Sequence, residues 1–172
     1  MALDRTWYNA LVDDDGSNAV GTVWNKTQID NLLDSVDAIH NAHCLVRASA
    51  AYPLASGTWA MLSFDVVDSD PFGMRISATS HRVPATGIYG VSAYIQMDAN
   101  ATGLRYIAVS RNGAPFPNYP PGRVPGTTTT ILQQVDVLPV TANMSIEIMV
   151  HQASGVPLNI LADSRLHIWR IA

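Results

Sequence analysis

The stretch IYGVSAYIQM, residues Ile88–Met97, has an apolar side chain at every second position from Tyr89 onward. Successive side chains of a β-strand point to opposite faces, so every second residue here shares one face. The residues expected to face a core are Tyr89, Val91, Ala93, Ile95 and Met97. The stretch therefore predicts a long strand with one buried face.

The same alternation recurs on both sides of this strand. It predicts a core face in TWAMLSFDV, made by Ala60, Leu62, Phe64 and Val66, and another in NMSIEIMVH, made by Met144, Ile146, Ile148 and Val150. Further strand-like runs lie near residues 46–51, 74–79, 104–111, 128–138 and 166–171. About eight short strands without crossover helices favour an all-β fold, an antiparallel jelly-roll sandwich. We assign this head domain to residues 46–172.

Large apolar side chains also fall on the opposite faces of these strands: Trp59, Met61, Tyr94, Trp169 and Ile171. A monomeric sandwich normally presents polar groups there. One explanation is a second buried face against another subunit, which would place Trp59, Tyr94 and Trp169 in an interface. The other is that the phase of these strands has been assigned wrongly. The sequence leaves both open.

A helix is predicted ahead of the strands, with Asn25 as its N-cap and Gln28 three positions later. Ile29, Leu32, Val36 and Ile39 follow at 3-4-3 spacing, which corresponds to the a and d positions of two heptads. A helix this short needs partners to persist in water. It packs on its own domain or pairs with copies of itself in a short trimeric bundle, and we assign residues 25–45 to this segment.

Composition narrows the classes of partner. Of the 172 residues 48% are hydrophobic and only 14% are charged, an apolar balance that favours self-association. The net charge of −4 and the absence of a basic run argue against nucleic acid. The first residues form neither a secretory signal nor a membrane span, so we expect no membrane partner. Cys44, the single cysteine, is expected to be a small buried side chain.

Two stretches contain clustered residues of the types that bind metal ions. The run Asp13–Gly16 fails the EF-hand spacing at its first ligand, so a turn before the helix is favoured over a calcium site. HNAHC sets His40, His43 and Cys44 at i, i+3 and i+4, which would share one side of a continued helix. Histidines near a helix C-terminus followed by a buried thiol explain the same residues. We therefore predict no metal, although an ion on a threefold axis near His40 and His43 stays open.

No motif marks a catalytic site. The sequence holds no G-x-S-x-G, no H-E-x-x-H and no phosphate-binding glycine loop. Carboxylates from distant strands could still form the pair of a small glycan hydrolase. With nothing pointing to that pair, the prediction is a non-enzymatic protein that needs no cofactor.

The segment RNGAPFPNYPPGRVPG, Arg111–Gly126, is a candidate receptor loop. Prolines restrict its backbone, and Phe116, Tyr119 and Arg123 are side chains of the types that anchor recognition. They could bind a host glycan or surface protein. They could equally pack back on the sandwich or on a neighbouring subunit.

Residues 64–113, FDVVDSDPFGMRISATSHRVPATGIYGVSAYIQMDANATGLRYIAVSRNG, resemble the trimeric jelly-roll modules related to tumour necrosis factor and to the globular heads of the first complement component. The matching positions are Phe64, Asp70, Gly73, Pro84, Gly87, Tyr89, Arg105, Asn112 and Gly113. The segment before them is similar to bacteriophage structural proteins, through Asp13–Ser17, Gly21, Thr22, Trp24, Asn25, Ile29 and Leu32–Asp34.

The resemblance implies a homotrimeric virion protein, made in the host cytoplasm and bound to other virion proteins of capsid or tail. Residues 1–24 would be the anchoring arm, gripping the particle through Trp7, Tyr8, Leu11, Val12 and Trp24. Without a long shaft, a capsid decoration, head fibre or short spike is favoured. The alternative is a tail-tip adhesin that recognises the host through the candidate receptor loop.

Overall fold

The computed structural model describes residues 26–40, 42–115 and 129–172. The chain divides into two units, Met1–Asn41 and Ala42–Ala172. The described part of the first unit is helix α1, Lys26–His40, which confirms that a helix precedes the strands. Ile29 and Val36 are partly buried and Leu32 is 51% exposed. The trimeric bundle stays a prediction, and the predicted cap residue Asn25 lies outside the described residues.

The second unit is built of short strands. β1 is His43–Arg47, β2 Tyr52–Leu54, β3 Trp59–Met61, β4 Val66–Ser69, β5 His81–Arg82 and β6 Gly87–Met97. β7 is Arg105–Arg111, β8 Ala114–Pro115, β9 Thr130–Val140, β10 Ser145–Gln152, β11 Leu158–Ile160 and β12 Arg165–Arg170. The pieces outnumber the predicted strands because bends divide several runs and some pairings are only two or three residues long.

Two antiparallel sheets form the sandwich. Sheet A has the order β2-β11-β6-β12-β1-β4, with β9 also paired to β6. β6 and β9 are each eleven residues long and pair over their whole length, from Gly87↔Val140 to Met97↔Thr130. Sheet B has the order β3-β10-β7-β8, with β5 also paired to β10. This arrangement confirms the predicted antiparallel jelly-roll sandwich.

The core lies between the inner faces of the two sheets. The alternation predicted for β6 is confirmed, since Tyr89, Val91, Ala93, Ile95 and Met97 are all at most 1% exposed. Opposite them, sheet B contributes Ile146, Ile148 and Val150 from β10, each fully buried. Cys44 is buried as expected, and burial raises the pKa of its thiol to about 12, so the thiol is inert at neutral pH.

The run TWAMLSFDV is divided between the sheets. Its first half is β3 in sheet B and its last residue opens β4 in sheet A, with Leu62 and Phe64 buried in the crossing segment. Ala60, Leu62 and Phe64 face the core as predicted, whereas Val66 does not belong to the core and the run is not a single strand. Local alternation shows which side chains are buried and does not show which sheet a strand joins.

The predicted strand at residues 74–79 is wrong. The Asp70 carboxylate accepts the amides of Met74 at 2.8 Å and Arg75 at 2.9 Å, and the Ser77 hydroxyl accepts the amide of Ser80 at 3.1 Å. These side-chain acceptors occupy donors that a strand ladder would use, so the segment folds as turns. A single bridge, Arg75↔His81, remains.

The first strand begins at His43, before the predicted start of the head at residue 46. α1 ends at His40, so His43 and Cys44 lie in β1 and not on a continued helix. Neighbouring strand residues point to opposite faces, and Cys44 enters the core while His43 faces outward. The predicted shared side therefore fails for His43 and Cys44, which lie on opposite faces of β1.

Candidate functional site

The structure places the outward apolar residues on two different faces. Tyr94 and Trp169 lie on the outer face of sheet A, whereas Trp59 and Met61 lie on the outer face of sheet B. Their strand neighbours Ile95, Ile168 and Leu62 are fully buried, so the strands are correctly phased. The alternative of wrongly phased strands is thereby removed. The two outer faces differ in chemistry and are described in turn.

The outer face of sheet A is a continuous apolar surface, called here the apolar face. The strand register aligns His43, Trp169, Gly90 and Val137 in one row across it and Leu45, His167, Ser92 and Val135 in the next. Val135 is 66% exposed and Val137 61%. Ile88, Ile131 and Ile171 extend the same surface and are each more than 40% exposed. Contiguous apolar surface of this kind marks an interaction site more often than a solvated face.

Gly90 shapes the centre of the apolar face. It is paired across the sheet with Trp169, and the indole covers it. A Cβ at position 90 would lie 2.3 Å from Cε2 of Trp169, so only glycine allows the ring to lie this close to the strand. A flat indole held against the sheet leaves a smooth surface that a second macromolecule can cover.

Two histidines lie beside this indole. The His167 ring centroid is 4.9 Å from that of Trp169 and 6.5 Å from that of His43. Nε2 of His43 lies 2.8 Å from the Ser69 hydroxyl on β4. Partial burial lowers the pKa of His167, and the nearby His43 lowers it further. The apolar face thus contains a group whose charge is already disfavoured.

One end of the apolar face is polar. Arg47 pairs with Asp68 at 3.1 Å and with Asp163 at 3.6 Å. Beside them lies an open cleft of about 450 Å³ lined by Tyr94, Gln96, Asp163 and Arg165. Tyr94 therefore lies at the border between the apolar rows and this charged rim.

The outer face of sheet B is closed by its own hydrogen bonds around Glu147, which is only 3% exposed. Its carboxylate accepts the hydroxyls of Ser80 at 3.2 Å and Ser110 at 3.0 Å, the hydroxyl of Ser145, and the amide of Gly113 at 3.2 Å. We call this the glutamate cluster. It joins the approach to β5, the strands β7 and β10, and the turn before β8, so it closes this part of the face.

Three aromatic side chains lie further along sheet B, where β3, β10 and β7 run side by side. The His151 ring centroid is 5.5 Å from that of Trp59 and 5.9 Å from that of Tyr106. Trp59 and Tyr106 are 6.3 Å apart. This aromatic patch is partly exposed. It was not predicted as a unit, since the partners come from strands far apart in sequence.

Several positions that carry the family resemblance have structural roles. Asp70 and Gly73 form a turn, with Gly73 at φ 61°. The buried Tyr89 hydroxyl donates to the Ala85 carbonyl at 3.0 Å. Arg105 is fully buried, and its guanidinium donates to the carbonyls of Thr102 at 2.8 Å and Asn100 at 3.2 Å. These contacts specify loops of the sandwich and do not build an active site.

The remaining predicted site residues fall elsewhere. The anchoring residues Trp7, Tyr8, Leu11, Val12 and Trp24 and the candidate receptor residues Phe116, Tyr119 and Arg123 lie outside the described residues. Within residues 26–40, 42–115 and 129–172, no three His, Cys, Asp or Glu side chains come together to hold a metal ion. No helix in those ranges is long and apolar enough to cross a membrane.

The sandwich and its two outer faces define a jelly-roll module of the kind seen in complement and tumour-necrosis-factor proteins. The globular domain of zebrafish complement 1qA matches at a TM-score of 0.56 and 12% identity, over 76% of this chain and 98% of that one. Eiger TNF from S. frugiperda matches at a TM-score of 0.52 and 12% identity. The match covers 77% of this chain and 93% of that one. Murine APRIL matches at a TM-score of 0.51 and 12% identity. The match covers 75% of this chain and 99% of that one. At this identity the likeness shows the fold alone.

Neither a family model nor a curated protein matches the sequence. The confirmed statement is therefore the fold, a C1q/TNF-like jelly roll, and the function rests on the chemistry of its surfaces.

Proposed function

We propose that this chain is a non-enzymatic structural protein that assembles into a homotrimer through the apolar face of sheet A. The single observation that carries the proposal is the exposure of Val135 and Val137, at 66% and 61%, in register beside Trp169 and Leu45. Removing such residues from water favours association by about 25 cal/mol per Å² of apolar area. The C1q/TNF-like fold supports a threefold arrangement, since the sequence resemblance is to trimeric modules.

The self-association surface is tested by light scattering and sedimentation of the full chain at micromolar concentration. The expected species is a trimer. Val135→Asp should convert it to a monomer, because an unpaired carboxylate buried between subunits costs several kcal/mol. Met61→Asp is the matched control, since Met61 is 40% exposed on sheet B and its change should leave the trimer intact. A wild-type monomer would overturn the proposal.

We further propose that the trimer is a bacteriophage virion component, a capsid decoration, head fibre or short spike. What supports this is the sequence similarity of Asp13–Asp34 to phage structural proteins. Residues 1–24 would bind the particle. A chain that lacks residues 1–24 should therefore keep the circular dichroism of the folded head and lose attachment to particles. Retained attachment would contradict the anchoring role.

A receptor-binding adhesin is the second candidate. The aromatic patch of Trp59, Tyr106 and His151 favours it, because partly exposed aromatic rings are common anchors of recognition. Binding of the full chain to a glycan array and to intact host cells tests this candidate. Loss of binding in Tyr106→Ala with the trimer intact would support it, and the absence of any binding would leave the structural role alone.

A further inference from the structure

The apolar face contains a histidine where a buried interface tolerates charge poorly. His167 is at the centre of the row formed by Leu45 on β1 and Ser92 on β6. Its ring packs against Trp169 at 4.9 Å. An interface that extends along this row from Val135 across Ser92 also covers His167. Its protonation state therefore matters to any association through this surface.

The groups around His167 include a second histidine that disfavours a positive charge on its ring. β1 presents His43 and Arg47, and β12 itself presents Arg165. β6 presents Ser92 and the Tyr94 phenol, and β9 presents Val135 opposite Ser92. On β4, Ser69 contacts His43, and the carboxylate of Asp68 pairs with Arg47, as does that of Asp163 after β11. Asp68 and Asp163 are thus both engaged with Arg47, and the group whose charge acts on His167 is His43.

We propose that the trimer is pH-gated, with His167 beside His43 acting as the switch that releases the subunits when the solution becomes acidic. The inference rests on the proposed self-association through the apolar face. A neutral imidazole can be covered by a second copy together with Trp169. An imidazolium in the same place would lose its hydration on association, with a second histidine, His43, beside it.

The sign of the effect follows from linkage. Burial and His43 already lower the pKa of His167 in one subunit, and covering the ring in the trimer adds to the burial. The separated subunits then bind more protons than the trimer, so acid favours dissociation. Association is at full strength above the ordinary histidine pKa of about 6.5 and weakens as pH falls below it.

The test is sedimentation equilibrium of the full chain at pH 7.5, 6.5 and 5.5. With one proton taken up per subunit, the trimer dissociation constant should rise by up to ~1,000-fold per pH unit once His167 titrates. Near-UV circular dichroism at each pH should stay constant, which separates dissociation from unfolding. If α1 keeps the copies together, faster amide exchange in β9 after correction for intrinsic rates reports the opened face.

His167→Gln should remove most of this pH dependence while it retains a trimer at pH 7.5. His151→Gln is the matched control, because His151 lies on the outer face of sheet B and its change should leave the pH dependence unaltered. A wild-type monomer at pH 7.5 contradicts the proposed assembly. Two results contradict the histidine switch and leave the assembly standing. One is a trimer whose dissociation constant and β9 amide exchange are the same at all three pH values. The other is an equal loss of pH dependence in the His167→Gln and His151→Gln variants.

Discussion

The two outer faces of the sandwich are built from the same strand alternation but differ in how far their side chains are exposed to solvent. On sheet B, outward residues are withdrawn from water: Ala108 is 2% exposed, Ser110 0% and Glu147 3%. On sheet A, the outward valines of β9 remain more than 60% exposed. The part of the first face around Glu147 is closed within one chain, whereas the second presents apolar area that one chain does not cover.

This difference shows how one sandwich can separate stability from assembly. The glutamate cluster ties segments that are distant in sequence, with Ser80 and Glu147 joined across 67 positions. Its loss should therefore act on folding. The apolar face contributes little to the core of its own chain, so changes there should act on association. Two substitutions and one change of pH test the comparison, and they follow from the largest expected effect to the smallest.

Glu147→Ala should have the largest effect on folding. The change removes the acceptor of three hydroxyls and the Gly113 amide and leaves a cavity where Ser110 is fully buried. Unsatisfied buried donors and lost packing predict a loss of about 4 kcal/mol in the free energy of unfolding. Urea denaturation measures it, and the trimer dissociation constant of the remaining folded protein should be unchanged.

Glu147→Gln is the conservative control for that substitution. The amide oxygen can still accept two donors, and the serine hydroxyls can rotate to accept from its NH₂ group. We expect a loss of only about 1 kcal/mol. Equal losses in the alanine and glutamine variants would show that the hydrogen bonds of the cluster are not what closes this face.

Acid should weaken folding through His81, next to the glutamate cluster. His81 is 0% exposed, and its two ring nitrogens have no hydrogen-bond partner within the described ranges. Burial is the main cause that lowers its pKa to about 4. In the unfolded chain the pKa of a histidine is about 6.5. Between pH 6.5 and pH 4 the unfolded state therefore binds one more proton than the folded state, which favours unfolding. Stability is full above pH 6.5 and falls by about 3 kcal/mol as pH drops to 4.

Urea denaturation at several pH values between 7 and 4 measures this loss. His81→Leu should flatten the pH dependence relative to wild type, since the apolar side chain has no proton to bind. His151→Gln, on the partly exposed aromatic patch, should leave it nearly unchanged. A wild-type slope retained in His81→Leu would assign the acid sensitivity to other groups.

The sequence predicts features that depend on the backbone geometry of a single segment and fails for features that depend on which segments pair. The inward sets of β6 and β10 and the helix followed from periodicity, because burial repeats with the geometry of the backbone. The burial of Glu147 could not be predicted, since alternation placed it on a solvated face and its serine partners come from other strands. Trp59 and Trp169 were assigned to one interface, yet they lie on opposite sheets, because pairing between strands leaves no local signal.

Gly90→Ala should have the smallest of the three effects and tests the apolar face itself. The new Cβ would lie 2.3 Å from the Trp169 ring, so the partly exposed indole must swing outward. Such overpacking at a partly open site predicts a loss of about 1 kcal/mol in stability. The displaced ring also disturbs the surface that a second copy covers, so the trimer should weaken about tenfold, which corresponds to 1.4 kcal/mol.

Ser92→Ala, at the next outward position of β6, is the control and should change neither the stability nor the dissociation constant of the trimer. If Gly90→Ala weakened folding but left the dissociation constant of the trimer unaltered, the centre of the apolar face would lie outside the interface, and the difference between the two outer faces would need another cause.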